Sequence, residues 1–289
     1  MKAYLRSAGC DFDFILFSSY DRQVEALLDG QIDIAWNGPL AHCRTKLRTG
    51  GTSLSLGMRD VDRDFLSHVV VRKDSNISDL GSLAGARLAT GTFDSPQAYV
   101  LPMASLPSET LATLDVTRFD RDVGKHGDTA AGELEVIDAL MEGRAEAGFV
   151  SDIMWQRALQ DGPSVGNTLA VCPALPIPRF DHCQFDALAT LAPAKRESFS
   201  SALFSMTMSD PAAAHAMKLE GIQECWEDGV SRDDIGYSGM LDALKAEEPG
   251  PFPGPLHTLE SHPFRSLTVS TLDPAVDPVA PMVRSCAAV

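Results

Sequence analysis

The sequence predicts an α/β protein, and three observations carry this fold class. Short apolar segments alternate with amphipathic helical ones from the start of the chain, and the same alternation returns in its middle. The composition, 44% hydrophobic and 22% charged, is that of a globular protein. Such alternation is typical of sheets whose strands are joined by helical crossovers. At 289 residues, the chain is long enough for one large domain or two ordinary ones.

The first fifty residues predict two strands and two helices. The apolar run FILF at 14–17 indicates a buried strand, and IDIAW at 32–36 indicates a second strand. Between them, Ser19 belongs to an N-cap cluster before a helix that Gly30 ends. Pro39 then opens the next helix, because proline is tolerated at the first helical position.

The middle of the chain repeats this pattern. A proline inside the first of its helices, Pro102, predicts a kink or an early end. The predicted strands are HVVV at 68–71, ARLAT at 86–90, DVTRF at 115–119 and AEAGFV at 145–150; the predicted helices are QAYVLPMASL at 97–106, LEVIDALMEG at 134–143 and DIMWQRALQDG at 152–162.

The pattern changes near Thr168. An extended, proline-punctuated segment at 168–178 precedes a predicted strand, DHCQFDALATL at 181–191. Three helices follow, at 193–206, 210–221 and 238–247. Residues 246–289 are rich in proline and lack periodicity, so we expect a disordered or loosely attached tail.

The net charge of the chain argues against two classes of binding partner. Lys and Arg number 24 against 40 Asp and Glu, a net charge of −16, which argues against nucleic acid and against anionic membrane surfaces. No apolar run approaches the roughly 20 residues that a membrane-spanning helix needs. The first residues, MKAYLRSAGCDFDF, contain no apolar core typical of a signal peptide.

The cysteines do not predict a metal ribbon or a disulfide framework. They are widely spaced and form no C-x-x-C pair, so mostly buried thiols are expected and no cofactor is predicted. The six are Cys10, Cys43, Cys172, Cys183, Cys225 and Cys286.

The segment GTFDSPQ at 91–97 is a candidate anion site. It lies between a predicted strand and a predicted helix, with Ser95 at the N-cap and Pro96 at the first helical position. Backbone N–H groups and the helix dipole favour an anion there. An ordinary capped helix start is the alternative interpretation.

Other polar clusters leave metal binding and catalysis as alternatives. His126 and Asp128 lie on a predicted loop with Glu133 one turn later, and Asp181–Cys183 form a second polar group; together they could hold a transition metal, although their spacing matches no established metal motif. The motifs G-x-S-x-G, the phosphate-loop lysine and H-E-x-x-H are absent. A set built from Ser95, His126 and Asp152 carries no catalytic case by itself.

The segment SSYDRQVEALLDGQIDIAWNGPLAH resembles the phosphate, phosphite and phosphonate solute-binding proteins of ABC importers, which have the type 2 periplasmic-binding-protein fold. The resemblance continues through DFLSHVVVRKDSNISDLGSLAGARLATGTFDSPQA, DVGKHGD, GELEVIDALMEGRAEAG, RFDHCQF and LFSMTMSDP, and covers about residues 4–245.

This resemblance implies two α/β lobes, joined by two hinge strands, that close around a small oxyanion without catalysing a reaction. Lobe 1 would contain residues 1–69 and 175–245, lobe 2 residues 70–174, and residues 246–289 the tail. The implied ligand is phosphate, phosphite or a phosphonate. The implied partner is an ABC permease, with a monomer acting in the periplasm.

The resemblance also implies the site residues. The serine- and threonine-rich loop would hold the phosphoryl oxygens, two acidic positions would receive an amino group of the ligand, and Phe65 stands where the family often has a second cleft tyrosine. The implied ligand-binding residues are Tyr20, Trp36, Asn37, Thr92, Asp94, Ser95, Gln97, His126, Asp152 and Asp181.

Three departures from the family pattern generate further expectations. Pro96 replaces a hydroxyl residue, and Asp94 brings negative charge to the expected anion site. The family's export signal and first strand are missing before DFDFILF, so we expect a lobe 1 without its first strand, apolar residues of 14–17 and 32–36 partly uncovered, and a cytoplasmic protein if Met1 is the true start. The alternative functions are a metal-ion carrier using His126, Asp128 and His182, or an enzyme on the same fold.

Overall fold

The structure, a computed structural model, describes residues 1–124, 129–229, 237–238, 240–242 and 244. A 3-10 turn, Asp60–Asp62, and a π-helical turn, Pro96–Val100, supplement the regular elements. The helices are α1 (Lys2–Ser7), α2 (Tyr20–Leu28), α3 (Pro39–Arg48), α4 (Leu80–Leu83), α5 (Leu101–Ala104), α6 (Ser108–Leu111), α7 (Ala130–Met141), α8 (Asp152–Asp161), α9 (Val165–Thr168), α10 (Pro193–Phe204) and α11 (Pro211–Leu219). The strands are β1 (Ile34–Asn37), β2 (Leu54–Arg59), β3 (Ser67–Arg72), β4 (Arg87–Thr90), β5 (Asp115–Arg118), β6 (Ala147–Ser151), β7 (Leu169–Val171), β8 (Gln184–Ala187) and β9 (Trp226–Glu227).

The strands form two sheets, and the predicted α/β fold class is confirmed. The first sheet has the order β1-β8-β2-β9, and the second has the order β5-β4-β6-β3-β7. In the first sheet, β1 and β2 both run antiparallel to β8, so they are parallel to each other and α3 makes the crossover between them. In the second sheet, β4 is parallel to β5 and β6, while β3 is antiparallel to β6 and β7.

Along the described residues, two chain segments connect the sheets. Residues 60–66 lead from β2 to β3, and residues 172–183 return from β7 to β8. The two segments meet at an isolated antiparallel bridge between Phe65 and Phe180, whose rings lie 5.4 Å apart. Both connections therefore pass through one narrow region beside the sheets.

Strand alternation explains how the second sheet buries both faces. Val69 and Val71 of β3 pack in one apolar cluster, whereas Val70 packs with α7 in another. Since successive side chains of a strand point to opposite faces, a run of valines suits a sheet covered on both sides. Gly148 of β6 fits beneath α7 because a Cβ there would lie 2.5 Å from Val136 Cγ1.

The first sheet has one apolar face and one polar face. Trp36 and Phe185 pack against α10 in an apolar cluster. On the opposite face, the fully buried carboxylate of Asp186 lies 2.9 Å from His42 Nδ1 and accepts a hydrogen bond from Asn37. This network fixes α3 on β1 and β8.

The prediction of a strand at 14–17 is wrong. Residues 11–19 form no regular structure, and Phe14, Ile15 and Leu16 are 51%, 42% and 64% exposed. A strand requires a neighbour for its backbone groups, and no described strand pairs with this segment. The expectation of partly uncovered apolar residues therefore holds at 14–16 and at the half-buried Ile32, but fails at Ile34 and Trp36, which are buried.

Most other predicted elements are confirmed within one to four residues, among them the kink near Pro102, where the π-helical turn passes into α5. Cys10, Cys43, Cys172 and Cys183 are buried as expected, but Cys225 is exposed. Cys286 and the predicted tail at 246–289 lie outside the described residues. Along the part of the chain that is described, no helix combines the length and hydrophobicity needed to cross a membrane.

Candidate functional site

The loop between β4 and the π-helical turn has the local structure that its sequence predicts. Ser95 is the N-cap, and its hydroxyl accepts a hydrogen bond of 3.1 Å from the Ala98 amide. Pro96 takes the first position of the turn. Gly91 permits the close return of the chain, because a Cβ there would lie 2.7 Å from Ala98 Cβ.

This loop is buried, and its polar groups bond to the start of α7. Ser95 and Gln97 both contact Thr129 Oγ1, at 2.8 and 2.9 Å. Gln97 Nε2 also donates to Glu133 Oε1 at 3.0 Å. Thr92, Ser95 and Gln97 are at most 2% exposed. The predicted anion loop thus meets an internal network of hydroxyl, amide and carboxyl groups.

Glu133 is the carboxyl group of this network. One of its oxygens accepts hydrogen bonds from the amide and the hydroxyl of Ser151, at 2.6 and 2.7 Å. The other faces Gln97 and Thr129. Burial raises the pKa of Glu133 above its ordinary value, and these donors oppose that shift.

Asp94 is buried as well and joins the loop to the segment before α7. Its carboxylate accepts hydrogen bonds from Thr92 Oγ1 at 2.9 Å and from the Gly124 amide at 2.5 Å. Burial raises its pKa, opposed by these two bonds and by the nearby Arg44 guanidinium. The negative charge noted in the sequence therefore points inward, toward donors of its own loop.

Gly124 is also where the two sheets' helices and loops approach each other. The Tyr20 amide, at the start of α2, lies 3.4 Å from the Gly124 carbonyl oxygen. Arg44 of α3 forms an ion pair with Asp21, the residue after Tyr20, and its positive charge acts to lower the pKa of Asp94. The structure thus brings Tyr20 next to the 92–97 loop, with a positive charge at the junction.

The two acidic positions expected to receive an amino group have protein partners. Asp152 begins α8 and lies 2.8 Å from His68 Nε2. Asp181 accepts hydrogen bonds from the Asp64 amide and from Arg63, both at 3.1 Å. Burial raises the pKa of Asp181, and Arg63 opposes this.

Two residues expected from the resemblance to bind the ligand, Trp36 and Asn37, are buried. The Trp36 ring packs between Phe185 and Trp226, with the Arg59 guanidinium 5.4 Å above it. Asn37 is fully buried. Its side chain bonds to Asp186 on the strand beside it, which orients β1 rather than opening to a ligand.

Part of the metal set expected from the sequence falls on residues that the structure does not describe. His126 and Asp128 lie outside the described residues, so the set with His182 and the pairing of Ser95 with His126 stay predictions. Glu133 belongs to the network under the loop, away from His182. Instead, His182 and Cys183 lie with Asp62, which no sequence motif indicated.

The site also contains three residues that were not predicted from the sequence: Thr129, Ser151 and Arg44. Thr129 and Ser151 precede α7 and α8 as N-caps, and a hydroxyl before an apolar helix is the signal that identifies them. Arg44 lies on a helix far along the sequence from residue 94. No local sequence signal predicts the position of Arg44, because only the packing of α3 brings it near Asp94.

The chain is similar to proteins of a known family. A family described as "ABC transporter, phosphonate, periplasmic substrate-binding protein" matches residues 2–228. The chain belongs to this family. It is a family of transport proteins rather than of enzymes, and its members are periplasmic substrate-binding proteins. The resemblance seen in the sequence is therefore confirmed.

One relative is the probable ABC transporter phosphite binding protein PhnD1 of Prochlorococcus marinus (strain MIT 9301). It is 25% identical over 168 residues, which cover 56% of this chain and 54% of that protein. The aligned part of this chain thus spans about half the length of that curated relative.

Solved structures show the same architecture. PhnD1 from Prochlorococcus marinus (MIT 9301), in complex with methylphosphonate, gives a TM-score of 0.60 at 16% identity, covering 85% of this chain and 89% of that one. XAC2383 from Xanthomonas citri, bound to ATP, gives 0.66 at 19%, covering 85% and 91%. At such identities the likeness concerns the fold: the chain has the two-lobed, type 2 periplasmic-binding-protein fold.

Proposed function

We propose that this protein is the solute-binding component of an ABC importer and holds a phosphonate- or phosphate-like oxyanion between its two lobes. Lobe 1 contains residues 1–69 and 175–245 in this proposal, and lobe 2 contains residues 70–174. The ligand is then handed to a permease in the membrane, by a monomer in the periplasm. The solved PhnD1 complex contains methylphosphonate, which makes that compound the first ligand to test.

The observation that carries the proposal is the junction at Gly124. There the start of α2 and the loop after β4, which belong to different sheets, come within hydrogen-bonding range of the same short segment. Arg44 adds positive charge beside it. An anion bound between two lobes requires donors and positive charge at their contact. The Thr92 hydroxyl and the Gly124 amide would provide the donors, and Arg44, which also pairs with Asp21, would provide the charge.

Binding in this proposal exchanges internal hydrogen bonds for bonds to the ligand. Thr92 Oγ1 and the Gly124 amide donate to Asp94 in the described structure. A phosphonate oxygen that replaced the Asp94 carboxylate would receive the same two donors. Arg44 would then neutralise part of the ligand's charge, and Tyr20 would close the site from lobe 1.

Titration calorimetry on the purified chain tests this function. Phosphate, phosphite, methylphosphonate and 2-aminoethylphosphonate are the ligands, and sulfate is the comparison anion. We expect saturable binding of at least one phosphorus oxyanion with one site per chain. No heat from any of the four would remove the substrate class.

Arg44→Gln gives the matched test of the site's position. We expect affinity to fall roughly tenfold or more, because a charged hydrogen bond to a phosphoryl oxygen is lost. Arg48→Gln is the control, since Arg48 lies on the same helix but pairs with Glu25 at 2.7 Å on the surface. Equal losses in both variants would contradict the proposed position.

A further inference from the structure

A second cluster of chemically reactive side chains lies in the region that connects the sheets. Asp62, His182 and Cys183 each offer one ligand atom within 4.8 Å of the others. All three are buried, at 1%, 6% and 1% exposure. Carboxylate, imidazole and thiol groups converging inside a protein are the donors that transition metals prefer.

We propose that Asp62, His182 and Cys183 form a site for a divalent, thiolate-preferring metal ion, and that Zn²⁺ is the ion it fits. The site is separate from the junction at Gly124. It also differs from the metal set expected from the sequence, because it uses neither His126 nor Asp128.

The distances support convergence on a metal. His182 Nδ1 lies 3.1 Å from Cys183 Sγ and 3.5 Å from Asp62 Oδ1. Zinc bonds to nitrogen and oxygen of about 2.0–2.2 Å and to sulfur of about 2.3 Å give tetrahedral edges of roughly 3.3–3.6 Å between ligand atoms. The 3.5 Å separation is long for a nitrogen–oxygen hydrogen bond but suits two ligands of one ion. The 3.1 Å separation is a hydrogen bond, and it would lengthen by roughly 0.4 Å when both atoms bind the ion.

The imidazole adds an independent observation. His182 Nε2 is buried and has no hydrogen-bond partner, so this ring is not held by the paired bonds usual for an interior histidine. The Phe65 ring lies 4.4 Å away and is tilted by 31° to the imidazole. The imidazole presents Nδ1 to the thiol and the carboxylate, as a ligand requires.

Asp62 is also paired with a cation, because it accepts two hydrogen bonds from Arg59, at 2.6 and 2.8 Å. Metal binding would convert the Cys183 thiol to thiolate and release one proton. Thiolate and carboxylate would then bring two negative charges to the ion, Arg59 would keep one positive charge beside them, and a water molecule would complete four ligands.

The position gives such an ion a structural consequence. Asp62 lies on the outgoing connection between the sheets, and His182 and Cys183 lie on the returning one, where the His182 amide donates to the Asp62 carbonyl oxygen at 2.8 Å. One ion would therefore join the two connections on the lobe 1 side. It would stabilise the folded state by an amount that grows with the logarithm of the free Zn²⁺ concentration once that concentration exceeds the dissociation constant.

The test uses the tag-free chain with Cys225→Ser, because Cys225 is exposed and offers a competing thiol. After treatment with a chelator, Zn²⁺ is titrated against a chromophoric chelator, and Co²⁺ is added in a second sample. We expect one Zn²⁺ per chain, a thermal midpoint that rises with Zn²⁺, and a thiolate-to-cobalt charge-transfer band.

Variants assign the ligands. Cys183→Ser and His182→Gln should each weaken Zn²⁺ binding by roughly 100-fold, as the loss of a direct ligand exceeds the loss of an outer partner. Cys172→Ser, at another buried cysteine, should leave it unchanged. Undiminished binding in Cys183→Ser overturns the site. Should that variant not fold, a cobalt spectrum of the Cys225→Ser chain without the thiolate band overturns it equally.

Discussion

At the scale of single residues, the described site is dominated by two buried carboxyl groups. Asp94 and Glu133 accept hydrogen bonds from the hydroxyls and amides around the loop after β4. An internal carboxylate is chemically similar to one face of a phosphonate, so these groups keep the donors oriented without a ligand. The Asp94 carboxylate also opposes an anionic ligand by charge repulsion, which low polarity strengthens.

Asp94→Asn should therefore raise affinity for methylphosphonate. The amide oxygen can still accept from Thr92, while the repulsion between carboxylate and ligand disappears, and we expect a gain of roughly tenfold. Calorimetry measures it, with Asp115→Asn on the exposed strand β5 as the control. A weaker Asp94→Asn variant would mean that the carboxylate itself holds the ligand, as for a cationic group.

Glu133 should make stability depend on pH. Burial raises its pKa, so the folded chain retains the proton over a pH range in which the unfolded chain has lost it. Stability then falls as pH rises above about 4.5, by about 1.4 kcal/mol for each pH unit until the folded pKa is reached.

Glu133→Gln removes this titration. The difference in thermal midpoint, variant minus wild type, should grow more positive from pH 4.5 to pH 7, measured by calorimetric scans. Gln97 Nε2 donates to Glu133 in the wild type, and a flipped Gln97 amide can instead accept a hydrogen bond from the new side chain. A difference that is constant with pH would show that Glu133 is ionised throughout.

At the scale of elements, the segment before α2 has a hydrophobic pattern that predicts a strand, but its packing in the structure is different. The apolar residues at 14–17 suggest a strand, yet the buried aromatic of this region is Phe12, stacked 6.3 Å from Phe199 of α10. The sheet ends at β1, whose described partner is β8 alone.

Two substitutions test whether Phe12 or the segment at 14–17 is the buried part of this region. Phe12→Ala should lower the free energy of unfolding by about 3–5 kcal/mol, because a buried ring leaves a cavity. Leu16→Ser should change it by less than about 0.5 kcal/mol, since Leu16 is 64% exposed. Urea denaturation measures both, and a large loss in Leu16→Ser would indicate a buried strand at 14–17 after all.

At the scale of the whole molecule, two connections join the sheets along the described residues. Arg63, on the outgoing connection, binds Asp181 on the returning one and also Glu227 of β9. The Phe65–Phe180 bridge joins the same two connections. In the proposed function, small changes of backbone angles in these connections would move one lobe against the other.

Ligand closure should be visible in solution. We expect methylphosphonate to reduce the radius of gyration measured by small-angle scattering, because binding between the lobes favours the closed arrangement. Sulfate serves as the comparison, and the same chain is measured in both states. An unchanged radius at saturating ligand would contradict closure.

The sequence by itself determined the elements and the family. Helix caps such as Ser19 and Ser95 act through contacts a few residues apart, and the run of valines in β3 is a local composition signal, so both can be recognised in the sequence. The loop at 91–97 was recognised for the same reason.

Only the tertiary structure decided which groups meet. Asp62 comes beside His182, and Arg44 comes near Asp94, through the packing of elements distant along the chain. It likewise placed Trp36 in the core and left residues 14–16 exposed. Whether an apolar run becomes a strand, or a carboxylate faces a ligand or its own loop, depends on partners that local spacing does not encode.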